Sequence, residues 1–201
     1  MSRRALCAAL ALAVMLCASP GAHAQTVEVA AYGGLAFGGE LIATPGYESV
    51  PLQAGPLYGG AFNVEFRPRW RLEALFMRQE TNVPGPAYGT YIAVSVDRYM
   101  GAILSHEPLS PRWDIFGEFM LGATRYAPRG FESELWLTLG AAAGVKTYVT
   151  RNIGFRFEVR GYYTPVVISG ATVCGGYGCV IGYTGTGTFQ GDISAGVIIG
   201  L

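Results

Sequence analysis

Charge is scarce in this 201-residue chain: Lys, Arg, Asp and Glu make up 14% of it, with 14 basic residues against 14 acidic. A near-neutral balance gives no electrostatic reason to expect nucleic acid as a partner. Histidine is scarcer, His23 and His106 being the two, and the cysteines are Cys7, Cys17, Cys174 and Cys179. With no further ligand types grouped around them, these residues do not point to a metal centre. Long apolar runs are missing as well. Although 51% of residues are hydrophobic, no window beyond Ala24 offers the roughly 18 consecutive apolar residues of a membrane-spanning helix. The glycine-rich string T-G-T-G-T-F-Q-G (Thr184 to Gly191) lacks the Gly-Lys-Ser/Thr ending of a phosphate loop and leads into a strand. No cofactor is implied.

What is present begins with an export signal. Ser2-Arg3-Arg4 is basic, Ala5 to Ala18 is apolar, and Ala22-His23-Ala24 has the small-x-small form of a cleavage site. Residues 1–24 are expected to be a signal peptide cut after Ala24, leaving Gln25 to Leu201 as one domain. The apolar run is too short for a spanning anchor, and Leu16 before Cys17 is not the small residue that lipoprotein processing would require. His23, Cys7 and Cys17 depart with the leader, and the loss of Arg3 and Arg4 takes 14 basic residues to 12, against 14 acidic.

In the mature chain apolarity is spread by alternation. The clearest stretch is Ile153 to Tyr163, I-G-F-R-F-E-V-R-G-Y-Y, with Ile153, Phe155, Phe157, Val159 and Tyr163 on one parity and Gly154, Arg156, Glu158, Arg160 and Tyr162 on the other. A period of two with one greasy and one charged face is that of a β-strand. Seven more segments repeat it: about Thr26–Phe37, Leu57–Phe66, Trp70 onward, Thr90–Ser105, Trp113 onward, Glu134–Val149 and a last one ending at Leu201. Twenty-nine glycines, twelve tyrosines and ten phenylalanines suit strands, turns and interfacial aromatic girdles. Together these predict an all-β fold, an eight-stranded antiparallel up-and-down transmembrane β-barrel, apolar toward lipid and polar toward the lumen.

The fourth segment has an ambiguous phase. Ile92, Val94 and Val96 share a face, and assigning that face to lipid carries Arg98 with it, at about 2 to 4 kcal/mol at the bilayer midplane. Either Arg98 sits at the girdle or a bulge near Asp97 reverses the parity.

The connections alternate long and short: Gly39–Gly55, Arg67-Pro68-Arg69, Gln79–Gly89, His106–Arg112, Arg125–Ser133, Thr150-Arg151-Asn152 and Thr164–Gly187. Short periplasmic turns and longer extracellular loops have this asymmetry, so both mature termini are expected in the periplasm of an outer-membrane protein.

The inward parity carries Glu28, Glu65, Arg71, Glu73, Asp114, Glu118, Lys146, Arg156, Glu158, Arg160 and Asp192. An eight-stranded barrel is just wide enough for side chains to fill it, and buried charges persist when paired. A salt-bridge plug is expected, with a gated ion path whose pairs switch partners as the alternative.

The eight alternating strands, the string F-M-L-G-A-T-R-Y (Phe119 to Tyr126) and the ending S-A-G-V-I-I-G-L resemble the small outer-membrane β-barrel superfamily of Gram-negative bacteria, the group of the outer-membrane protein A and X barrels. In the ending, Ser194, Gly196, Ile199 and Leu201 are similar to the signal read by the barrel assembly machinery, although members commonly close on an aromatic where this chain has Leu201. The resemblance implies a monomeric, non-catalytic envelope protein in contact with outer-membrane lipid and lipopolysaccharide, with the assembly machinery and periplasmic chaperones as partners in biogenesis. A narrow pore for ions or very small solutes, and an adhesin or receptor acting through the first and fourth long loops, are the other functions open to it.

Two local features remain. Ser105-His106-Glu107 has the residue types of a hydrolytic triad, but neighbours on an extended chain point in different directions, and a solvated turn is expected there. Cys174-Gly175-Gly176-Tyr177-Gly178-Cys179 is expected to close a disulfide in an oxidising compartment, holding Tyr177 at an exposed tip, either for protease resistance or for binding.

Overall fold

The computed structural model describes residues 27–43, 48–84, 89–150, 152–175 and 178–201, with side chains outside 41–50 and 166–186. The expected signal peptide with Ala22 and Ala24, and Tyr177, expected at a loop tip, lie outside the described residues.

Ten strands follow one another: β1 (Val27–Gly38), β2 (Glu40–Ala43), β3 (Glu48–Pro51), β4 (Gly55–Arg67), β5 (Trp70–Pro84), β6 (Tyr91–Ser110), β7 (Trp113–Pro128), β8 (Glu134–Tyr148), β9 (Ile153–Gly175) and β10 (Gly178–Gly200). Eight form a closed antiparallel barrel in the order β1-β10-β9-β8-β7-β6-β5-β4, while β2 and β3 pair with each other. Closure is made by β1, which pairs with β4 on one side and with β10 on the other, Glu28 opposite Gly200. Within the belt no described barrel strand is left with an unpaired edge, whereas β9 beyond Tyr163 and β10 before Gln190 pair only with each other.

Alternation decides the two faces. Outside, Val29, Leu35, Phe62, Leu72, Ile103, Phe119, Leu121, Leu137, Phe157, Val159, Ile193 and Ile199 are exposed, an apolar surface that would drive aggregation in water. Trp70 and Trp113 stand on it beside the short turns, and the ring pairs Phe76–Tyr99 (5.2 Å) and Tyr163–Phe189 (4.9 Å) stand nearer the long-loop end. These are the positions of the aromatic girdles that border lipid. One tight turn carries a cost: Arg69, following Pro68, has φ +70°, a region that glycine takes more easily.

Several sequence expectations are corrected. Of the residues predicted as the long fourth loop, Thr164 to Gly187, the described stretches 164–175 and 178–187 instead continue β9 and β10, paired with each other past the barrel belt, because their Val, Ile and Thr residues favour a pleated backbone that the many glycines do not stop. Strand β5 likewise runs to Pro84, β7 to Pro128 and β6 to Ser110, each through residues predicted as loop or turn. Inside the first long connection lies the small β2–β3 hairpin.

The phase of β6 follows neither predicted alternative. Its pairing with β5 is continuous from Trp70↔Ser105 to Pro84↔Tyr91, with no bulge at Asp97, and Arg98 is not at the lipid girdle. Val94 and Val96 point inward with Arg98, and all three are buried. The apolar side chains turn inward because that end of the lumen is itself apolar: Val94 and Val96 pack with Leu52, Val83 and Tyr126, with Ile92 and Trp136 against them.

Candidate functional site

The lumen is the site in which the chain's chemistry is concentrated. From the short-turn end it is filled in layers. Glu28 of β1 comes first, ion-paired with Arg71 of β5, accepting from Lys146 Nζ of β8 at 2.6 Å and from the Tyr148 hydroxyl at 2.8 Å. Arg71 also donates to Asn63 (3.2 Å) and Glu65 (3.4 Å), and the Asn63 amide donates to Glu73 at 3.2 Å.

In the next layer the Arg156 guanidinium gathers three carboxylates, Glu73 at 2.5 Å, Glu118 at 2.8 Å and Glu158 at 2.8 Å. Glu158 passes the chain of contacts on to Arg160, which also donates to Asp192 (3.1 Å) and Ser194 (2.9 Å). Rings line these cations: Phe116 lies 4.2 Å from Arg156, and Tyr32 lies 5.6 Å from Arg156 and 4.8 Å from Arg160. A polar interior of this kind, in which Arg71, Lys146, Arg156 and Arg160 each meet a carboxylate, fills the cross-section with side chains that hold one another in place.

Of the predicted inward residues, Glu28, Glu65, Arg71, Glu73, Glu118, Lys146, Arg156, Glu158, Arg160 and Asp192 join this continuous chain. Asp114 does not. It faces the short-turn mouth, 3.7 Å from His106 Nδ1.

His106 lies on β6 with its side chain 14% exposed, not in a solvated turn as predicted. The neighbouring residues Ser105 and Glu107 alternate to the outer parity, where Glu107 meets Arg69 at 2.8 Å. The three residues therefore do not form a triad.

Sequence reasoning missed one layer and one outer cluster. The missed layer forms around Arg98, where Gln79 and Tyr126 join Gln190 and Tyr162, the last two on the inward parity already read from the sequence, all buried above the ion network. The cost of turning a guanidinium toward lipid was the signal for it, and should have outweighed the apolarity of Ile92, Val94 and Val96. Higher still, Thr138 bonds Thr124 (2.7 Å) and Thr164 (2.9 Å). Residues around Leu52 then close the long-loop end, held by Leu52 N to Gly39 O (2.9 Å) and Gln53 N to Asn82 O (3.0 Å).

The outer cluster lies on β5, β6 and β7 at one level. Arg78 takes Asp97 in a bidentate pair at 2.6 and 2.8 Å, and Arg125 stands 3.8 Å from the same carboxylate. Register sets Tyr58, Arg78, Asp97 and Arg125 side by side, marking the level at which the apolar belt ends on these strands.

Cys174 and Cys179 are directly opposed in the β9–β10 pairing, and their side chains lie outside the described ones. Within the predicted assembly signal, Ser194 and Gly196 face the lumen and Ile199 and Leu201 are exposed. Among the described residues no group of three or more His, Cys, Asp and Glu could hold a metal ion, and no helix is long and apolar enough to cross a membrane.

No family model and no curated protein matches the chain. Solved structures do. The crystal structure of neisserial surface protein A aligns over 90% of this chain and 99% of its own, at 15% identity and a TM-score of 0.60. The outer-membrane protein OprG from Pseudomonas aeruginosa aligns over 88% and 96%, at 10% identity and a TM-score of 0.57. Identities this low speak to backbone architecture alone, and eight antiparallel strands closing between β1 and β10 with an apolar exterior are that architecture. The chain has the fold of the small eight-stranded outer-membrane β-barrels.

Proposed function

We propose that the protein is an integral outer-membrane barrel without catalysis, closed through its middle, that serves the envelope structurally and meets the cell exterior through the β9–β10 hairpin and the β2–β3 connection. The observation that carries this reading is a stack of buried ionic contacts across the barrel interior, Lys146–Glu28–Arg71 and then Glu73–Arg156–Glu158–Arg160–Asp192, the two groups joined through the Asn63 amide. A solute would have to separate those pairs, and each separation leaves a buried charge without its partner.

The apolar belt supports direct contact with membrane lipid and lipopolysaccharide, and the two-residue or similarly short connections at one end support placing that end, with both chain termini, in the periplasm. Nothing in the ionic run requires a second copy, and the protein acts as a monomer.

Planar-bilayer recording of the refolded protein, checked for folding by faster migration unboiled than boiled, tests this. Closed baselines at all applied voltages are expected. Reproducible unitary conductance in the wild-type protein would replace the closed barrel by a narrow pore for ions or very small solutes.

A further inference from the structure

Arg98 differs from every other lumenal cation. Arg71, Lys146, Arg156 and Arg160 each meet a carboxylate. Arg98 is wholly buried, and among the described residues no carboxylate comes within 4.0 Å of it. Asp192, in the layer below, meets Arg160 through Oδ1 at 3.1 Å, its Oδ2 being buried without a hydrogen-bond partner and beyond 4.0 Å of Arg98. A guanidinium does not shed its proton in a protein, so the positive charge stays.

The hydrogen bonds around Arg98 are one-sided. Its Nη2 donates to Gln79 Oε1 at 3.1 Å and to Gln190 Oε1 at 2.9 Å, and the Tyr126 hydroxyl donates to that same Gln190 oxygen at 3.1 Å. Both amides are thereby oriented with their oxygens spent. Their Nε2 groups are buried without a partner, and so are Arg98 Nε and Nη1. The Tyr162 ring, centred 4.7 Å from the guanidinium carbon, covers one side of the cation.

Four nitrogen centres in one layer thus offer N–H groups that nothing accepts, around a cation that touches no carboxylate. We propose that this layer binds one small monovalent anion of halide size, held by Arg98, Gln79 and Gln190. Such an ion accepts from several donors at once and cancels the charge. A water molecule brings two donors of its own to a site already made of donors and leaves the charge in place.

Size follows from what bounds the layer. Val94, Val96, Leu52 and Val83 close it toward the long-loop end, and the Arg160 and Arg156 clusters close it below. A carboxylate or phosphate metabolite would have to displace one of these walls.

The test is a crystal structure of the full barrel grown with bromide in place of chloride, read by anomalous scattering, together with thermal unfolding at fixed ionic strength in bromide against gluconate. The expected result is an anomalous peak at hydrogen-bonding distance from Arg98 and both glutamines, and an unfolding midpoint that climbs with bromide as linkage requires. Gln79→Leu, which keeps the cation and removes one donor group, should weaken the bromide effect about ten-fold or more, and Arg98→Gln should abolish it. A water peak without anomalous signal, or a bromide effect of equal size in folded Arg98→Gln barrel, overturns the site.

Discussion

Lys146 on β8 reaches across the lumen to Glu28 on β1, 2.6 Å from nitrogen to oxygen and 118 residues apart in the chain. Both side chains are almost fully buried. Removing one member strands the other. Lys146→Met is expected to cost about 3 to 5 kcal/mol, and the double variant Lys146→Met with Glu28→Gln to recover part of that loss. Urea unfolding of the refolded barrel, run as a double-mutant cycle, reads both values. A loss in the double variant equal to the sum of the two single losses would show that the pair does not act as a unit.

Arg156 is the hub of the ionic run. Arg156→Ala leaves Glu73, Glu118 and Glu158 facing one another with their shared cation gone. The expected outcome is a drop in stability of several kcal/mol, and a cation-preferring leak where the wild-type protein is silent in bilayer recording. Wild-type stability together with wild-type silence would contradict the role given to this residue.

The lipid boundary makes a position-dependent prediction. Phe119 is 78% exposed near mid-strand of β7, and Trp113 opens the same strand at the short turn. Phe119→Arg should cost about 2 to 4 kcal/mol in a bilayer and Trp113→Arg about 0 to 1. Unfolding in lipid vesicles measures the difference, and identical costs would mean that the belt is drawn at the wrong height.

Two glycines on neighbouring strands separate packing from backbone effects. A Cβ at Gly144 would stand 2.3 Å from the Phe157 carbonyl oxygen and 2.6 Å from the Phe116 ring, whereas one at Gly117 would meet nothing within 4 Å. Gly144→Ala should destabilise by about 1 to 3 kcal/mol, and Gly117→Ala should be neutral or slightly stabilising. Comparable melting behaviour of the two variants would remove the steric argument.

Cys174 and Cys179 face each other across the β9–β10 hairpin register. Mass spectrometry of the oxidised protein is expected to find them linked within one peptide. Reduction should speed proteolysis of the hairpin on whole cells and leave heat-modifiability unchanged, since barrel pairing and lipid contact lie elsewhere. Free thiols in protein isolated from the envelope would contradict this.

The faces of seven of the eight barrel strands were legible wherever the two environments differ chemically. In Ile153 to Tyr163 arginine and glutamate alternate with Phe and Val, and lipid and lumen sort them unambiguously. Legibility failed where that contrast is absent. Ile92, Val94 and Val96 look outward-facing by apolarity, but they belong to the lumenal cap with Leu52 and Tyr126. The upper parts of β9 and β10 stand beyond the belt, where no lipid selects one face, so their glycines read as loop. The Arg98 layer was hidden by the same parity error, and Asp97, with Arg78 and Arg125, shows that outer positions above the belt can be charged.

The closing seam between β1 and β10 ends with Leu201 N donating to Val27 O at 2.8 Å, so the first barrel strand's second neighbour is the last barrel strand in chain order. Contacts of such separation are slow to form because the loop they close is nearly the whole molecule. Lys146 on β8 meets Glu28 on β1 only when that seam shuts, whereas Arg160 and Asp192 already face each other within the β9–β10 hairpin. The cross-lumen contacts therefore cannot mature strand by strand: a nascent barrel lacking β10 exposes two raw strand edges and leaves Glu28 and Lys146 apart, and both defects vanish in one event.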